Sequence, residues 1–246
     1  MIGIIGGTGL SNLQGFNIQE QKWCETPFGE PSSVLSFGDF SGQSLVFLAR
    51  HGIPHKIAPH LINYRANLSA LKQVGVTQVI AVNAVGGIHS RLGPKAVAIP
   101  HQIIDYTHDR ASTIYDGCHI EVVDHVDFSF PYTESLRQSL IEAAKAVSVE
   151  CVDNGTYGAT QGPRLETAAE IKRMQKDGCD MVGMTGMPEA GLARELGIEY
   201  AALALSVNWA AGLTDQVITM KEIEEAVVSG MDSIHLILRE FLNKKK

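Results

Sequence analysis

Several short stretches of this chain combine glycines with one hydroxyl, guanidinium, imidazole, carboxylate or amide, and each follows a short apolar run. The first is Gly6-Gly7-Thr8-Gly9. Glycines let the backbone come close to a phosphate, and successive amides form a concavity for an anion. The register starting at Gly7 ends in Asn12, where a dinucleotide fingerprint needs Gly or Ala, and no strand with an acidic residue follows about twenty residues on. A Walker loop does not fit either, because no Gly-Lys-Ser or Gly-Lys-Thr follows. The readings that remain are an oxyanion loop with the Thr8 hydroxyl as a donor, and a plain tight turn.

Next comes Arg50-His51-Gly52, continuing to His55 and His60. An arginine at a strand end is a ready bidentate partner for phosphate. The clustered histidines leave open a metal site, core or capping histidines, and phosphate contact by Arg50 and His51. Gly52, Pro54 and Pro59 break any helix here, so a helical metal-ligating spacing is not available. Asn83-Ala84-Val85-Gly86-Gly87 again places a polar residue and glycines after a strand. In Gly162-Pro163-Arg164-Leu165-Glu166-Thr167, Glu166 stands just ahead of a helical pattern, where a carboxylate either favours the first turn or faces a ligand. In Met184-Thr185-Gly186-Met187-Pro188-Glu189, Pro188 suits a first helical position and Thr185 offers a hydroxyl. Ser206-Val207-Asn208-Trp209 ends the last strong apolar run, and Asn208 there is either a turn residue or an amide that can read a base.

The elements that must position these groups alternate along the chain. Strands are expected at residues 2–5, 44–49, 77–82, 97–99, 156–160, 180–184 and 199–207, and helices at 61–74, 133–147, 167–176, 188–196 and 220–242. In the last helix Ile223, Val227, Met231, Ile234, Leu238 and Phe241 recur at three- or four-residue spacing, as a one-sided helix requires. Strand followed by helix, repeatedly, predicts an α/β fold with a mixed, largely parallel sheet flanked by helices. Ligands of such sheets bind beyond the carboxyl ends of the strands, which is where the segments above lie. With no repeat, linker or low-complexity stretch, residues 1–246 are expected to form a single domain.

The formal net charge is -7, with no basic block beyond the last three lysines, so neither nucleic acid nor an anionic membrane is an expected partner. The four cysteines form no Cys-x-x-Cys pair, which gives neither a zinc nor a redox motif and fits a reducing cytoplasm. The N-terminus does not read as a signal peptide. The longest apolar run, near residues 200–207, is too short to span a bilayer. A cytoplasmic location is the expectation.

Together these segments resemble the trimeric purine nucleoside phosphorylase and methylthioadenosine phosphorylase family. The resemblance rests on IIGGTGL, ARHG, HLINYRANLSALK, VIAVNAVGGI, TYGATQGPRLETAAEI, DMVGMTGMPEAGLARELGIEYAALALSVN and the final helix, in the family's order over nearly the whole chain. GPRLET with MTGMPEAGLARELGI is its most specific part. It implies a pentosyltransferase of purine salvage with a partly barrel-like sheet, assembled as a homotrimer. It needs no metal and no organic cofactor, and inorganic phosphate is its co-substrate. By position, Thr8, Arg50, His51, Asn83, Ala84 and Thr185 are implied to surround phosphate and the adjoining ribose, with Met184 under the ribose. Glu166 and Asn208 are implied to face the purine, flanked by Trp209 and Ala210, and Met220 to approach the ribose 5′ end. His125 is implied to reach a neighbouring subunit's site. Asn208, Glu166 and His51 form the implied catalytic set.

The sequence mixes the marks of two branches of that family. Members acting on 6-aminopurines carry Asp where Asn208 stands, a small hydroxyl residue where Glu166 stands, and a second Asp where Ala210 stands. A 6-oxopurine presents an N1–H donor and an O6 acceptor. An ionised Glu166 accepts from N1–H, while the Asn208 amide donates to O6 and accepts from a protonated N7. At the sugar end, members acting on ordinary nucleosides place a histidine where Met220 stands. A thioether packs against a thiomethyl group; the other reading of Met220 is the core face of its helix. The combination predicts phosphorolysis of 5′-methylthioinosine to hypoxanthine and 5-methylthioribose 1-phosphate. The rival readings are a purine nucleoside phosphorylase for inosine and guanosine, a methylthioadenosine phosphorylase, a hydrolase using water, and a non-catalytic purine-binding protein.

Overall fold

The computed structural model describes residues 1–10, 13, 15–120 and 122–244. Ser11 and Asn12, the end of the first glycine register, and Lys245 and Lys246 of the basic terminus lie outside the described residues.

The strands in chain order are β1 (Ile2–Gly6), β2 (Phe16–Lys22), β3 (Leu35–Phe40), β4 (Gln43–Ala49), β5 (Gln78–Gly87), β6 (Val97–Ala98), β7 (Gln102–Asp105), β8 (Cys151–Val152), β9 (Thr156–Ala159), β10 (Met181–Gly183) and β11 (Glu199–Trp209). The helices are α1 (Tyr64–Gln73), α2 (Glu134–Ala146), α3 (Ala168–Lys176), α4 (Gly186–Glu195) and α5 (Met220–Asn243). All belong to one mixed sheet flanked by helices, the single-domain α/β fold.

β5 organises the sheet. It pairs parallel to β1 on one side and to β11 on the other, and β1 pairs parallel to β4. The carboxyl ends of these strands therefore emerge together. The far end of β5 also pairs antiparallel with β10, through Gly86↔Val182 and Gly87↔Met181. β10 thus runs back along β5 and delivers Met184 and Thr185 beside Asn83 and Ala84. The sheet branches here instead of closing: one path continues β10-β9-β7, the other β11-β6-β8. The partly barrel-like sheet expected from the resemblance is corrected accordingly.

The long strand also corrects the reading of residues 83–87 as a loop. Asn83 to Gly87 lie inside β5. Gly-Gly is a turn signal in isolation, but here neighbouring strands on both sides fix the backbone in extended form. The unforeseen strands are those whose own pattern is weak. Among them, β2 is an edge strand that is mostly exposed, so it carries no apolar run, and β8 is too short to show one.

The helices lie close to their expected positions because their start signals are local. In α3 the Thr167 hydroxyl accepts from the Glu170 N–H and the Glu170 carboxylate accepts from the Thr167 N–H. Thr219 and Glu222 form the same reciprocal cap at α5. The apolar stripe of α5, beginning at Ile223, packs on β11 and α2.

Candidate active site

The first glycine loop turns directly against the end of β4. The Leu10 N–H donates to the Gly7 carbonyl at 3.0 Å, and Gly9 takes φ 84°, a left-handed value that suits glycine. Gly7 is required by contact. A Cβ there would lie 2.6 Å from the Val82 carbonyl oxygen and 2.7 Å from Arg50 Nη1. The Arg50 N–H donates to the Gly6 carbonyl at 2.9 Å, so β1 and β4 hold loop and guanidinium side by side.

Arg50 is wholly buried. Its Nε and Nη2 donate to the two oxygens of Glu189 at 2.6 and 2.8 Å, and Nη1 donates to the Val82 carbonyl at 3.0 Å. Tyr200 Oη donates to the same carboxylate at 2.8 Å. Burial alone would lower the Arg50 pKa. The Glu189 charge and its hydrogen bonds outweigh that and raise it, so the cation is fixed. A guanidinium carries five N–H groups; with these bonds made, one remains on Nη1 and one on Nη2. Glu189 was not picked out in the sequence. The one signal available was a carboxylate directly after Pro188, which reads as an ordinary first-turn acid.

His51 follows, nearly buried, with Nδ1 2.8 Å from the Ile57 carbonyl. A carbonyl only accepts, so Nδ1 carries the proton and Nε2 is bare in the neutral ring. Burial and the Arg50 cation lower the His51 pKa to about 4. Its ring stacks on His55 with centroids 4.2 Å apart. Among the described residues no group of three or more His, Cys, Asp and Glu side chains could hold a metal ion.

Asn83 is buried, and its Nδ2 donates to Thr185 Oγ1 at 2.9 Å. Its contribution at this site is thus to hold the Thr185 hydroxyl. Thr185 stands at the start of α4, before Met187, whose extended φ/ψ shows that the regular helix begins at Pro188.

On the opposite wall, Glu166 is free of the helix start, because the capping acid of α3 is Glu170. Thr160 Oγ1 donates to Glu166 Oε1 at 2.6 Å. Asn208 stands in β11 at a bulge. The register shifts between Ser206 and Asn208, leaving Val207 as the extra residue. A bulge re-aims the side chains beside it, and here the consecutive residues Val207 and Asn208 both face one cavity. Asn208 Nδ2 donates to the Trp209 carbonyl at 2.7 Å. That acceptor identifies the nitrogen end of the amide, and one N–H remains for a ligand.

These walls enclose a cavity of about 260 Å³, lined among others by Thr8, Arg50, His51, Ala84, Glu166, Met184, Thr185, Asn208 and Met220. Asn83, Trp209, Ala210 and His125 do not line it. Trp209 faces a neighbouring cavity with Gln216 and Val217, which Val207 and Asn208 border as well. Ala210 is buried behind Gly86, its N–H donating to the Gly87 carbonyl at 2.9 Å. His125 is in an exposed segment ahead of α2. Met220 is 65% exposed at the cavity mouth, which excludes the core-face reading.

Arg110 is the other residue that sequence reading missed. It lies in the polar stretch THDRAST, which offers no periodicity or motif. Its side chain reaches both walls of the cavity through hydrogen bonds to backbone carbonyls.

A single cavity lined by a glycine loop, an arginine, a carboxylate and a carboxamide has the groups that a nucleoside phosphorylase requires. The chain belongs to the Phosphorylase superfamily, whose family profile matches residues 1–243. It is 52% identical over 240 residues to the "Probable S-methyl-5'-thioinosine phosphorylase" of Pseudomonas syringae pv. tomato, covering 98% of this chain and 97% of that one. It is 42% identical over 242 residues to the "6-oxopurine nucleoside phosphorylase" of Pyrococcus furiosus, covering 96% and 90%. Its fold superposes on the methylthioadenosine phosphorylase from Schistosoma mansoni in complex with adenine with a TM-score of 0.95, at 31% identity and with 98% and 90% of the chains covered.

Proposed function

We propose that this chain catalyses phosphate-dependent cleavage of a 6-oxopurine nucleoside, with 5′-methylthioinosine as the substrate and hypoxanthine and 5-methylthioribose 1-phosphate as the products. The observation that carries this reading is that Glu166 and Asn208 line the same cavity as Thr8, Arg50, His51 and Thr185, with Met220 at its mouth. The named activities of the Pseudomonas and Pyrococcus relatives support it.

Phosphate binds between the Thr8 loop, the remaining Arg50 N–H groups and Thr185. One of its oxygens attacks C1′ as the C1′–N9 bond breaks, so no protein nucleophile is needed. Positive charge grows on the ribose, and the neighbouring phosphate stabilises it. The bare Nε2 of His51 accepts from a protonated phosphate oxygen. The purine departs as an anion and takes up at N7 a proton equivalent to the one the attacking hydrogen phosphate gives up overall, so that it is held in its N7–H form. Asn208 Oδ1 accepts from N7–H, its remaining Nδ2–H donates to O6, and Glu166 Oε2 accepts from N1–H. An adenine base would set its bare N1 against the carboxylate. Unpaired groups of that kind discriminate by up to roughly 10⁴-fold.

The sugar end is read from Met220, which offers an apolar, polarisable surface instead of a hydrogen bond. A homotrimer, with His125 reaching a neighbouring site, is part of the proposal. The exposed Val122, Val123 and Phe130 around His125, at 76%, 56% and 69%, support an interface there. No helix among the described residues is long and apolar enough to cross a membrane; a location in the cytoplasm is part of the proposal.

The test is base release from methylthioinosine, inosine and methylthioadenosine, each with and without phosphate. Phosphate-dependent release, fastest from methylthioinosine, is the expected result. Faster turnover of inosine would refute the reading of Met220. Faster turnover of methylthioadenosine would refute that of Glu166 and Asn208. Turnover without phosphate would make the enzyme a hydrolase, and no turnover of any of them would leave a binding protein.

A further inference from the structure

The two walls of the cavity come from segments far apart in sequence. The loop after β9 carries Glu166, and the turn after β10 carries Met184 and Thr185. One side chain ties them together. Arg110 Nη2 donates to the carbonyls of Thr160 and Gln161 at 3.1 and 2.8 Å. Its Nη1 donates to the carbonyls of Met184 and Met187 at 2.8 and 2.6 Å. Nε donates to Gln161 Oε1 at 3.1 Å, and Tyr64 Oη accepts from Nη1 at 3.3 Å. The guanidinium also lies 5.6 Å from the centroid of the Tyr64 ring.

The consequences follow the backbone. Thr160, whose carbonyl Arg110 holds, donates its hydroxyl to Glu166. Met184 and Met187, whose carbonyls it holds, bracket Thr185, where the Asn83 amide meets the hydroxyl. The turn before Arg110 is itself set for this purpose: Asp109 takes φ 54°, a left-handed value that Asp tolerates better than most residues.

We infer that Arg110 is a positioning residue that fixes the distance between the base-reading carboxylate and the phosphate-side turn, and so sets both catalysis and base selectivity. The inference rests on the proposed purine nucleoside phosphorylase reading. Only a planar fork satisfies carbonyls on both sides at once. A lysine ammonium has three N–H groups on one point and cannot span them. A misplacement of about 1 Å in a preorganised site can reduce the rate by roughly 10²-fold.

The experiment compares wild type, R110K and R110A. Steady-state kinetics on methylthioinosine and methylthioadenosine are measured well below each Tm, and amide hydrogen exchange is followed in residues 160–167 and 184–187. R110K is expected to keep the fold, lose roughly 10- to 100-fold in kcat/KM for methylthioinosine mainly through kcat, and narrow the preference over methylthioadenosine. Exchange is expected to rise in both segments together, and added guanidinium ion is expected to restore part of the R110A rate. R110K kinetics within about threefold of wild type for both nucleosides would overturn the inference. So would unchanged exchange in either segment, or a loss confined to Tm. If R110A does not fold, R110K decides. If wild type releases no base from either nucleoside, the functional reading has failed, and the exchange data alone judge the clamp.

Discussion

Replacing Glu189 by glutamine keeps the shape of the side chain and removes the charge that neutralises Arg50. Both side chains are 0% exposed, so solvent cannot take over. The carboxylate receives Arg50 Nε at 2.6 Å, Arg50 Nη2 at 2.8 Å and Tyr200 Oη at 2.8 Å. An amide offers one acceptor oxygen, and its NH₂ would face a donor. The substitution removes the charge that raises the Arg50 pKa, but a guanidinium is not deprotonated in proteins, so the cation does not escape by losing its proton. Removing one partner of a buried pair destabilises by about 3–5 kcal/mol. At roughly 2–4 °C per kcal/mol for a chain of this size, Tm should fall by roughly 6–20 °C. Phosphate should reverse part of the loss. The guanidinium still has N–H groups to give, and a bound dianion restores the missing negative charge. Melting curves with and without phosphate, at matched pH and ionic strength, should therefore show a larger phosphate-induced rise in Glu189→Gln than in wild type. A variant melting within about 2 °C of wild type would refute the strength assigned to the pair. A phosphate-induced rise no larger than in wild type would refute contact between phosphate and Arg50.

Asn208→Ala should lower kcat roughly 10²-fold or more, as loss of a group hydrogen-bonded in the transition state does; a kcat within about threefold of wild type would remove Asn208 from the chemistry. Met220→His should shift the kcat/KM ratio from methylthioinosine towards inosine, because the ring can hydrogen-bond a 5′-hydroxyl; an unchanged ratio would disprove contact with the 5′ end. His51 has a folded pKa of about 4 against an ordinary 6.5, so unfolded chains take up its proton first as pH falls. Its contribution to stability is full above pH 6.5 and is lost between 6.5 and about 4, which urea unfolding of wild type against His51→Gln across that range should show. Saturating phosphate should raise the His51 pKa in an NMR titration, and an unmoved titration would place phosphate elsewhere.

What could be read from the sequence was set by how local each signal is. Helix starts are local: Thr167 with Glu170 and Thr219 with Glu222 lie within one turn. Strand ends are nearly as local, which is why Thr8, Arg50, His51, Thr185 and Asn208 could be named from the residues that follow apolar runs. Asn83 was named for the right neighbourhood but in the wrong setting, because extension of β5 to Gly87 depends on β10 and β11. Glu189 and Arg110 had no local signal. Glu189 meets Arg50 across 139 positions and Arg110 meets backbone carbonyls across 50 to 77, and a lone carboxylate or guanidinium looks the same in sequence whether it meets solvent or a buried partner.

The cavity also explains how an oxopurine base end and a methylthio sugar end can coexist in one chain. In the proposed reading, the base meets Glu166 on the loop after β9 and Asn208 at the β11 bulge. The sugar end meets Met220, the first residue of α5. The cap of that helix is made by Thr219 and Glu222, and its buried stripe starts at Ile223. The Met220 side chain takes part in neither, and its exposure of 65% leaves it unconstrained by packing. A substitution there changes what meets the 5′ substituent without loosening the helix or moving the base-reading pair. Sugar preference is therefore free to vary independently of base preference. Glu166, by contrast, is tied through Thr160 to the Arg110 clamp, so a change in base preference must also preserve the distance to the phosphate-side turn.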